Sequence, residues 1–249
     1  MGEGSGIAWT NHTFNPWWGC TKVSPACANC YAERLAVRLA VAWGPGAARR
    51  FFPDGHWNEP LKWARKARRT GVRPRVFTGS MCDVFEDRPD LHDPRLRLYD
   101  LILTTADALD WLLLTKRPDV AVRLLPDDVA ALSWVGTTIE DQAAADLRLD
   151  LLLQIPARVW FVSCEPLLGS LNLIRWLVPG PCGSRLSWII TGGESGPHAR
   201  PFDLDHARRL RDQAVRAGVP FFLKQFSGLR PDHLPALDGQ VWQQVPARP

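Results

Sequence analysis

The chain has 249 residues, of which 46% are hydrophobic and 22% charged, a composition typical of globular proteins that excludes long disordered segments. No stretch approaches the roughly 18 apolar residues of a membrane span, and the first residues lack the basic-then-apolar pattern of a signal peptide, so we expect a cytoplasmic protein without membrane contact. The net charge of +4 is modest and excludes a uniformly basic or acidic surface.

The N-terminal part of the chain is predicted to contain a short strand, a cysteine-rich loop and a helix. The strand lies near His12–Pro16. The loop follows it and carries Cys20, Cys27 and Cys30 in the spacing C-x6-C-x2-C. The helix is predicted over Ala32–Trp43, ended by Gly44-Pro45-Gly46. Clustered cysteines in a chain of this kind indicate metal binding or catalysis rather than disulfides.

The cysteine spacing alone leaves more than one metal open. Three thiolates can hold three irons of a [4Fe-4S] cluster and leave the fourth iron to a non-protein ligand. Cys82 is a candidate fourth ligand of a closed cluster. The alternative is a tetrahedral zinc with three cysteines and one histidine, such as His12 or His56.

A basic run follows the predicted helix, because residues 62–75 hold seven Lys or Arg and no acid. Such a run is usually a solvated helix face. Concentrated positive charge is also what a contact with a phosphate backbone requires. The run therefore makes nucleic acid a candidate partner.

From residue 75 onward, the chain repeats a short apolar run, a polar tail and a helical stretch. Helices are predicted over Leu91–Ala108 and Asp203–Ala217, and a terminal hairpin around Asp238-Gly239. Runs that are apolar on both alternations indicate strands buried on both faces of a parallel sheet. We therefore predict one α/β domain over residues 1–249, a parallel (β/α) barrel, partial, with six or seven units; a doubly wound open sheet is the alternative. The runs are Arg75–Thr78, Trp111–Thr115, Trp134–Thr138, Val159–Ser163, Trp188–Thr191 and Val219–Leu223.

Polar residues follow nearly every predicted strand, at the end of a parallel barrel where active sites are assembled. The candidate site residues are Ser80, Asp83, Lys116, Glu140, Cys164, Glu165, Gly192, Gly193, Glu194, Ser195 and Lys224. The two glycines would let backbone N–H groups approach a ligand, and Glu194 could grip an ammonium or ribose hydroxyls. Both lysines would need an anion. The alternatives are a tight turn with positive φ at the glycines and structural ion pairs of the lysines with Glu140, Glu165 or Glu194.

The cysteine loop after the first strand resembles that of the radical S-adenosylmethionine (SAM) superfamily. More closely, the chain resembles a phage- and bacteria-associated family of uncharacterised three-cysteine-motif proteins, over most of residues 7–228. The resemblance implies that Cys20, Cys27 and Cys30 hold a [4Fe-4S] cluster. In the superfamily, an aromatic residue that touches the adenine of SAM commonly precedes the last cysteine; this chain has Asn29 there, and Tyr31, directly after Cys30, is the candidate for that contact. The resemblance lies in the segments TFNPWWGCTKVSPACANCYAE, SWVGTTIEDQ, FVSCEPLLG, WIITGGESGPHARPFD and FFLKQF.

The function implied by this resemblance is reductive cleavage of SAM to a 5′-deoxyadenosyl radical, with an external electron donor. The radical would act on a nucleotide, a nucleic acid or a polar metabolite. Lys116, Cys164 and Glu165 are the candidate catalytic residues, with the Cys164 thiol as hydrogen-atom donor. The alternative is a non-catalytic, metal-stapled nucleic-acid-binding protein. A combination of the two is a radical enzyme that repairs or modifies DNA, similar to spore photoproduct lyase in general plan.

Overall fold

The computed structural model of the protein describes residues 3–180, 183–231 and 234–247. Seven strands in these ranges form one parallel sheet in chain order: β1 (His12–Phe14), β2 (Arg75–Thr78), β3 (Asp110–Thr115), β4 (Trp134–Thr138), β5 (Val159–Cys164), β6 (Trp188–Thr191) and β7 (Phe221–Leu223). Every strand pairs with its neighbours in sequence. A doubly wound sheet reverses its strand order at a switch point, so this topology excludes that alternative.

Helices connect consecutive strands, as parallel pairing requires. In the described ranges they are α1 (Tyr31–Arg38), α2 (Asp54–Trp57), α3 (Glu59–Thr70), α4 (His92–Thr105), α5 (Pro118–Leu124), α6 (Asp127–Leu132), α7 (Gln142–Leu152), α8 (Ile174–Leu177) and α9 (Leu204–Ala217). Short 3-10 turns lie at Pro25–Cys27 and Pro89–Leu91. The membrane-span criterion of a long, apolar helix is met by none of these elements.

Side chains alternate between the two faces of the sheet and separate the core into two clusters. Val76, Leu113 and Val162 belong to the helix-covered cluster, whereas their neighbours Phe77 and Leu112 belong to the inner one. The residues of the inner cluster are Trp9, Phe77, Leu112, Trp134, Val159, Phe161, Trp188, Ile190 and Phe222. The pattern explains why the strands read as apolar on both alternations.

The indole of Trp9 shows that the sheet is curled. Its ring centroid lies 4.6 Å from that of Phe77 on β2, 6.4 Å from that of Phe161 on β5 and 6.2 Å from that of Trp188 on β6. One side chain can reach strands so far apart in the pairing order only if the sheet wraps around it. The predicted partial (β/α) barrel is therefore confirmed.

Segments from both ends of the chain cover the outer edges of the sheet. Glu3 pairs antiparallel with His12 on β1, and Gln243 pairs antiparallel with Phe222 on β7. The predicted terminal hairpin is confirmed: β8 (Ala236–Leu237) pairs antiparallel with β9 (Gln240–Val241), and both Asp238 and Gly239 take the positive φ of a tight hairpin turn, 53° and 78°. Covered edges cannot template pairing with another chain.

The helix predicted over Ala32–Trp43 is shorter, because α1 ends at Arg38. Ala40 takes a positive φ of 52°, and the N–H groups of Ala40 and Val41 donate to the carbonyls of Val37 and Ala36. This is a Schellman motif, which satisfies the last helical carbonyls and turns the chain. No glycine marks this turn, so no residue before Gly44 indicated the end of the helix.

Gly136 lies on β4 where there is no room for a side chain. A Cβ at this position would come within 2.6 Å of the Phe161 ring, and that ring is held by Trp9 and Trp188. We expect Gly136→Ala to lower the free energy of unfolding by about 1–3 kcal/mol through overpacking, measured by urea denaturation. Gly55→Ala is the control, since a Cβ there meets nothing within 4 Å. Equal stability of the two variants would contradict the packing described for the inner cluster.

Candidate functional site

A cavity of about 450 Å³ opens at the carboxyl ends of the strands, within the size range of small-molecule sites. It is lined by segments that follow β2 to β7 and by the cysteine loop that follows β1. This position agrees with the predicted rim. The structure brings most of the predicted site residues together there: Cys20, Cys27, Cys30, Tyr31, Ser80, Asp83, Lys116, Glu165, Gly193, Glu194, Ser195 and Lys224.

The three cysteines of the loop line this one cavity and are partly exposed to it. All three are free thiols. Tyr31 follows directly, and its hydroxyl donates to the carbonyl of Ser80 at 2.7 Å. This bond joins the start of α1 to the segment after β2, so the aromatic ring stands at the cavity wall.

Side chains from several strand ends hold the six residues between the first two cysteines. Arg117, after β3, donates to the carbonyl of Thr21 at 2.7 Å. Glu140, after β4, accepts from the N–H of Ala26 at 3.4 Å. Arg200, in the segment between β6 and α9, donates to the carbonyl of Pro25 at 3.1 Å. The long spacing is therefore fixed by the barrel rather than loose.

A buried ion pair packs against the cysteine loop and supports it. Arg49 and Glu86 have side chains 0% and 5% exposed and meet at 2.6 Å. The same guanidinium donates to Thr21 at 3.0 Å and to the carbonyls of Gly44 and Ala47 at 3.0 Å. A Cβ at Gly19, whose φ is 113°, would come within 2.7 Å of Arg49. Glycine is required there because the loop passes directly over this pair.

The Cys20 thiol lies in a charged but poorly solvated environment. Burial raises its pKa to about 12, and the Asp83 carboxylate adds to the rise. Arg117 opposes this effect, with its Nη1 3.9 Å from Sγ of Cys20 and 2.8 Å from Oδ2 of Asp83. A thiol with so high a pKa becomes a thiolate at neutral pH when a metal supplies the positive charge.

The structure places neither histidine considered as a fourth zinc ligand beside the cysteines. In residues 3–180, 183–231 and 234–247, no three His, Cys, Asp or Glu side chains converge on one metal position, whereas zinc needs ligands within about 2.0–2.3 Å of one centre. His12 stacks on Trp63 at 4.5 Å, and His56 bonds the carbonyl of Asn15 at 2.8 Å. Neither proposed histidine ligand lines the cavity. Cysteine thiolates are the ligands that an iron–sulfur cluster takes, so the three thiols at this cavity fit such a group.

Lys116 presents to the cavity an ammonium group that has no ion pair among the described residues, and Glu165 lines the same cavity. Nζ of Lys116 contacts the Thr138 hydroxyl at 3.3 Å and forms no ion pair with the described carboxylates. Oε1 of Glu165 accepts no hydrogen bond in the described part of the chain, although the Lys224 ammonium lies 3.4 Å from it. The structural ion pair considered for Lys224 is therefore present, and the one considered for Lys116 is absent. A partly buried ammonium without a counter-ion favours an anionic ligand.

The Gly192-Gly193-Glu194 segment packs against and bonds to neighbouring parts of the protein, a role that the sequence did not indicate. Neither glycine has positive φ, so the tight-turn alternative is wrong; a Cβ at Gly193 would come within 2.4 Å of the Ser227 backbone, and one at Gly192 within 2.6 Å of Glu165. Glu194 accepts from Asn29 at 2.9 Å and also pairs with Arg200. Burial would raise the pKa of Glu194, but the bonds from Arg200 and Asn29 outweigh it and hold the pKa below its usual value. Its carboxylate ties the cysteine loop to the segment after β6.

Three predicted site residues do not line the cavity: Glu140, Cys164 and Gly192. Cys164 points to the helix-covered face of β5 and is fully buried, because its neighbour Ser163 occupies the inner face. The position does not suit a hydrogen-atom donor for a ligand in the cavity. Glu140 pairs with Arg148 at 2.8 Å, so it supports the loop instead of touching a cofactor.

The basic run of residues 62–75 is largely neutralised and lies away from the cavity mouth. Lys62, Lys66, Arg68 and Arg73 pair with carboxylates at 2.6–2.7 Å. Arg68 also donates to the carbonyl of Thr104 at the end of α4, near where β3 begins and opposite the cavity. This favours the solvated helix face, and a nucleic-acid contact through the run stays a prediction.

Sequence reasoning missed Arg117, Thr138 and Ser163, which all line the cavity. Arg117 stood directly beside Lys116 in a predicted strand tail. Its role depends on Asp83 and Cys20, which are distant in sequence. Thr138 and Ser163 are the last residues of two predicted apolar strands. A polar residue at the end of an otherwise apolar strand is the signal that could have identified them as cavity residues.

The family comparison gives a decisive match, because one family model aligns with residues 4–246. The chain belongs to this family. Its description is Protein of unknown function (DUF5131). The description mentions neither phages nor cysteines, so those parts of the predicted resemblance stay predictions. None of the curated proteins matches the sequence.

Solved structures of spore photoproduct lyase share the fold. A double mutant with bound AdoMet and dinucleoside spore photoproduct is 12% identical with a TM-score of 0.57, covering 87% of this chain and 75% of that chain. A single mutant with dinucleoside spore photoproduct is 13% identical with a TM-score of 0.58, covering 91% and 79%. The enzyme complexed with dinucleoside spore photoproduct gives a TM-score of 0.56 at 12% identity. At such identity the likeness shows the fold alone, a partial (β/α) barrel shared with spore photoproduct lyase, and no activity.

Proposed function

We propose that the protein is a radical SAM enzyme in which Cys20, Cys27 and Cys30 hold a [4Fe-4S] cluster at the cavity mouth. The observation that carries the proposal is the shared cavity, which joins three free thiols to a lysine that has no ion pair among the described residues. The likeness to a fold that binds AdoMet in a solved structure supports it.

The cavity is chemically complementary to SAM. SAM carries a carboxylate, an ammonium group and ribose hydroxyls. The carboxylate of SAM would supply the missing counter-ion of the Lys116 ammonium, and the Glu165 carboxylate, which also lines the cavity, would accept a hydrogen bond from the SAM ammonium or a hydroxyl. The Tyr31 ring, at the wall beside Cys30, offers a surface for the adenine.

A [4Fe-4S] cluster held by Cys20, Cys27 and Cys30 would, when reduced, supply the one electron needed to cleave SAM to methionine and a 5′-deoxyadenosyl radical. The protein's part is positional. Glu194, Glu140 and Arg117 hold the cysteine loop against three strand ends. The inner cluster around Trp9 and Trp188 fills the barrel beneath the cavity and keeps water from entering through the sheet.

The substrate class proposed is a nucleotide, a nucleic acid or a polar metabolite. Arg34, Arg38, Lys116, Arg117 and Lys224 line the cavity together with Asp83, Glu165 and Glu194. Cations therefore outnumber carboxylates around the opening. An excess of positive charge raises the local concentration of an anionic substrate.

The decisive experiment is anaerobic reconstitution of the full chain with iron and sulfide, followed by reduction in the presence of SAM. We expect acid-labile sulfide, the brown absorption of a [4Fe-4S] cluster and release of 5′-deoxyadenosine. A cluster-loaded, reduced protein that neither binds SAM nor yields 5′-deoxyadenosine would overturn the proposal.

Replacement of Lys116 by methionine tests the assignment of the anion contact. A hydrogen bond to a charged group contributes about 1.5–3 kcal/mol, so Lys116→Met should raise the Kd for SAM roughly 10–100-fold, measured by anaerobic titration of the oxidised protein. Lys62→Met is the matched control, because Lys62 pairs with Glu59 on an exposed helix face. Equal SAM affinity in the two variants would remove Lys116 from the binding site.

A further inference from the structure

Arg117 occupies a fixed position between a carboxylate and the first cysteine of the loop. Its Nη1 lies 2.8 Å from Oδ2 of Asp83 and 3.9 Å from Sγ of Cys20. Its Nη2 donates to the carbonyl of Thr21 at 2.7 Å. The Arg117 side chain is 11% exposed, so water screens its charge only weakly.

The carboxylate that holds Arg117 is itself immobilised. Asp83 accepts hydrogen bonds from the Thr115 hydroxyl at 2.7 Å, the N–H of Phe85 at 3.0 Å and the N–H of Lys116 at 3.1 Å. With Asp83 and the Thr21 carbonyl both fixed, the guanidinium has one orientation. Its N–H is therefore directed at the sulfur before any metal binds, and it needs no reorganisation on reduction.

We infer that Arg117 is a positioning residue that raises the reduction potential of the cluster held through Cys20. The inference rests on the proposed function. Reduction adds one electron from an external donor and breaks no bond, so the loaded site becomes more negative by one charge. A fixed cation and an N–H donor at a ligand sulfur stabilise that more negative state. The Asp83 carboxylate lowers the reduction potential, because a nearby anion disfavours the more negative, reduced state.

Arg117→Met removes the cation and the N–H donor together. In an anaerobic redox titration followed by EPR, we expect the equilibrium constant for cluster reduction to fall at least about tenfold, ~59 mV for a one-electron couple. Arg123→Met is the matched control, since it removes the same charge from the exposed end of α5, where Arg123 pairs with Asp87 at 3.3 Å. Its potential should equal that of the wild type because exposed charges are screened.

Asp83→Asn tests the direction of the shift in reduction potential, which a merely structural role of Arg117 would not predict. It removes the opposing anion and should raise the potential, opposite to Arg117→Met. Arg117→Lys keeps the charge without the planar fork, so its potential should fall less than that of Arg117→Met.

Two results would overturn the inference: a loaded Arg117→Met variant with the potential of Arg123→Met, or shifts in the same direction for the Asp83 and Arg117 variants. If Arg117→Met takes up no cluster, opposite shifts in Arg117→Lys and Asp83→Asn support the inference and parallel or absent shifts overturn it. A wild-type chain that takes up no cluster is a separate outcome, which overturns the proposed function together with the inference.

Discussion

Arg49→Met is expected to lower the free energy of unfolding by about 3–5 kcal/mol, because it leaves the Glu86 carboxylate buried and without a partner. The two side chains meet at 2.6 Å and are almost fully buried. The change also leaves the carbonyls of Gly44 and Ala47 without the Arg49 donor. Domains are typically stable by only about 5–15 kcal/mol, so the loss should be plain in a urea denaturation curve.

The control for this prediction is Arg123→Met, whose exposed pair with Asp87 should contribute at most about 1 kcal/mol. In the double variant with Glu86→Leu, the buried carboxylate is gone as well, and part of the stability should return. If Arg49→Met is no less stable than Arg123→Met, the ion pair beneath the cysteine loop is not the anchor that the structure indicates.

Replacement of any one cysteine of the loop by serine is expected to abolish stable cluster binding. Cys20→Ser, Cys27→Ser and Cys30→Ser should each lose the iron, the acid-labile sulfide and the brown absorption after anaerobic reconstitution. The reason is that a serine hydroxyl does not supply the thiolate on which cluster ligation depends. Metal and sulfide analysis with an absorption spectrum is the measurement.

Cys164→Ala is the matched control for the cysteine variants, because Cys164 packs on the helix-covered face of β5 and away from the cavity. It should retain the iron and sulfide of the wild type. Retention of a full cluster in one of the loop variants would contradict the ligand assignment. Zinc in place of iron in the wild type would contradict the cluster itself.

The strands could be predicted closely because burial on both faces leaves a clear apolar signal. Arg75–Thr78, Trp134–Thr138 and Trp188–Thr191 match β2, β4 and β6 in full. The rim followed from the strand ends, since all parallel strands finish at one end of the barrel. The helix predicted after the cysteine loop was too long, which shows the limit of such signals. Backbone hydrogen bonds form the turn at Ala40, and an alanine in the sequence does not indicate such a turn.

Which rim residues face the cavity could not be predicted, because a strand that is apolar on both faces does not reveal its inner side. On β5 the choice fell on Cys164, and the structure turns Ser163 inward instead. Long-range partners were equally hidden. Glu140 looked like a ligand residue until the structure placed Arg148 and the N–H of Ala26 around it.

The cover over the edge of β7 has a consequence for biosynthesis. Residues 242–244 hydrogen-bond to Phe221 and Leu223, and Leu234 and Val245 pack against the inner cluster. A ribosome releases these residues after all seven strands have been made, so the edge of β7 in the nascent sheet stays uncovered and prone to pairing until they emerge. A ribosome stalled before Leu234 would therefore present a chain with this edge uncovered, which is a substrate for chaperones.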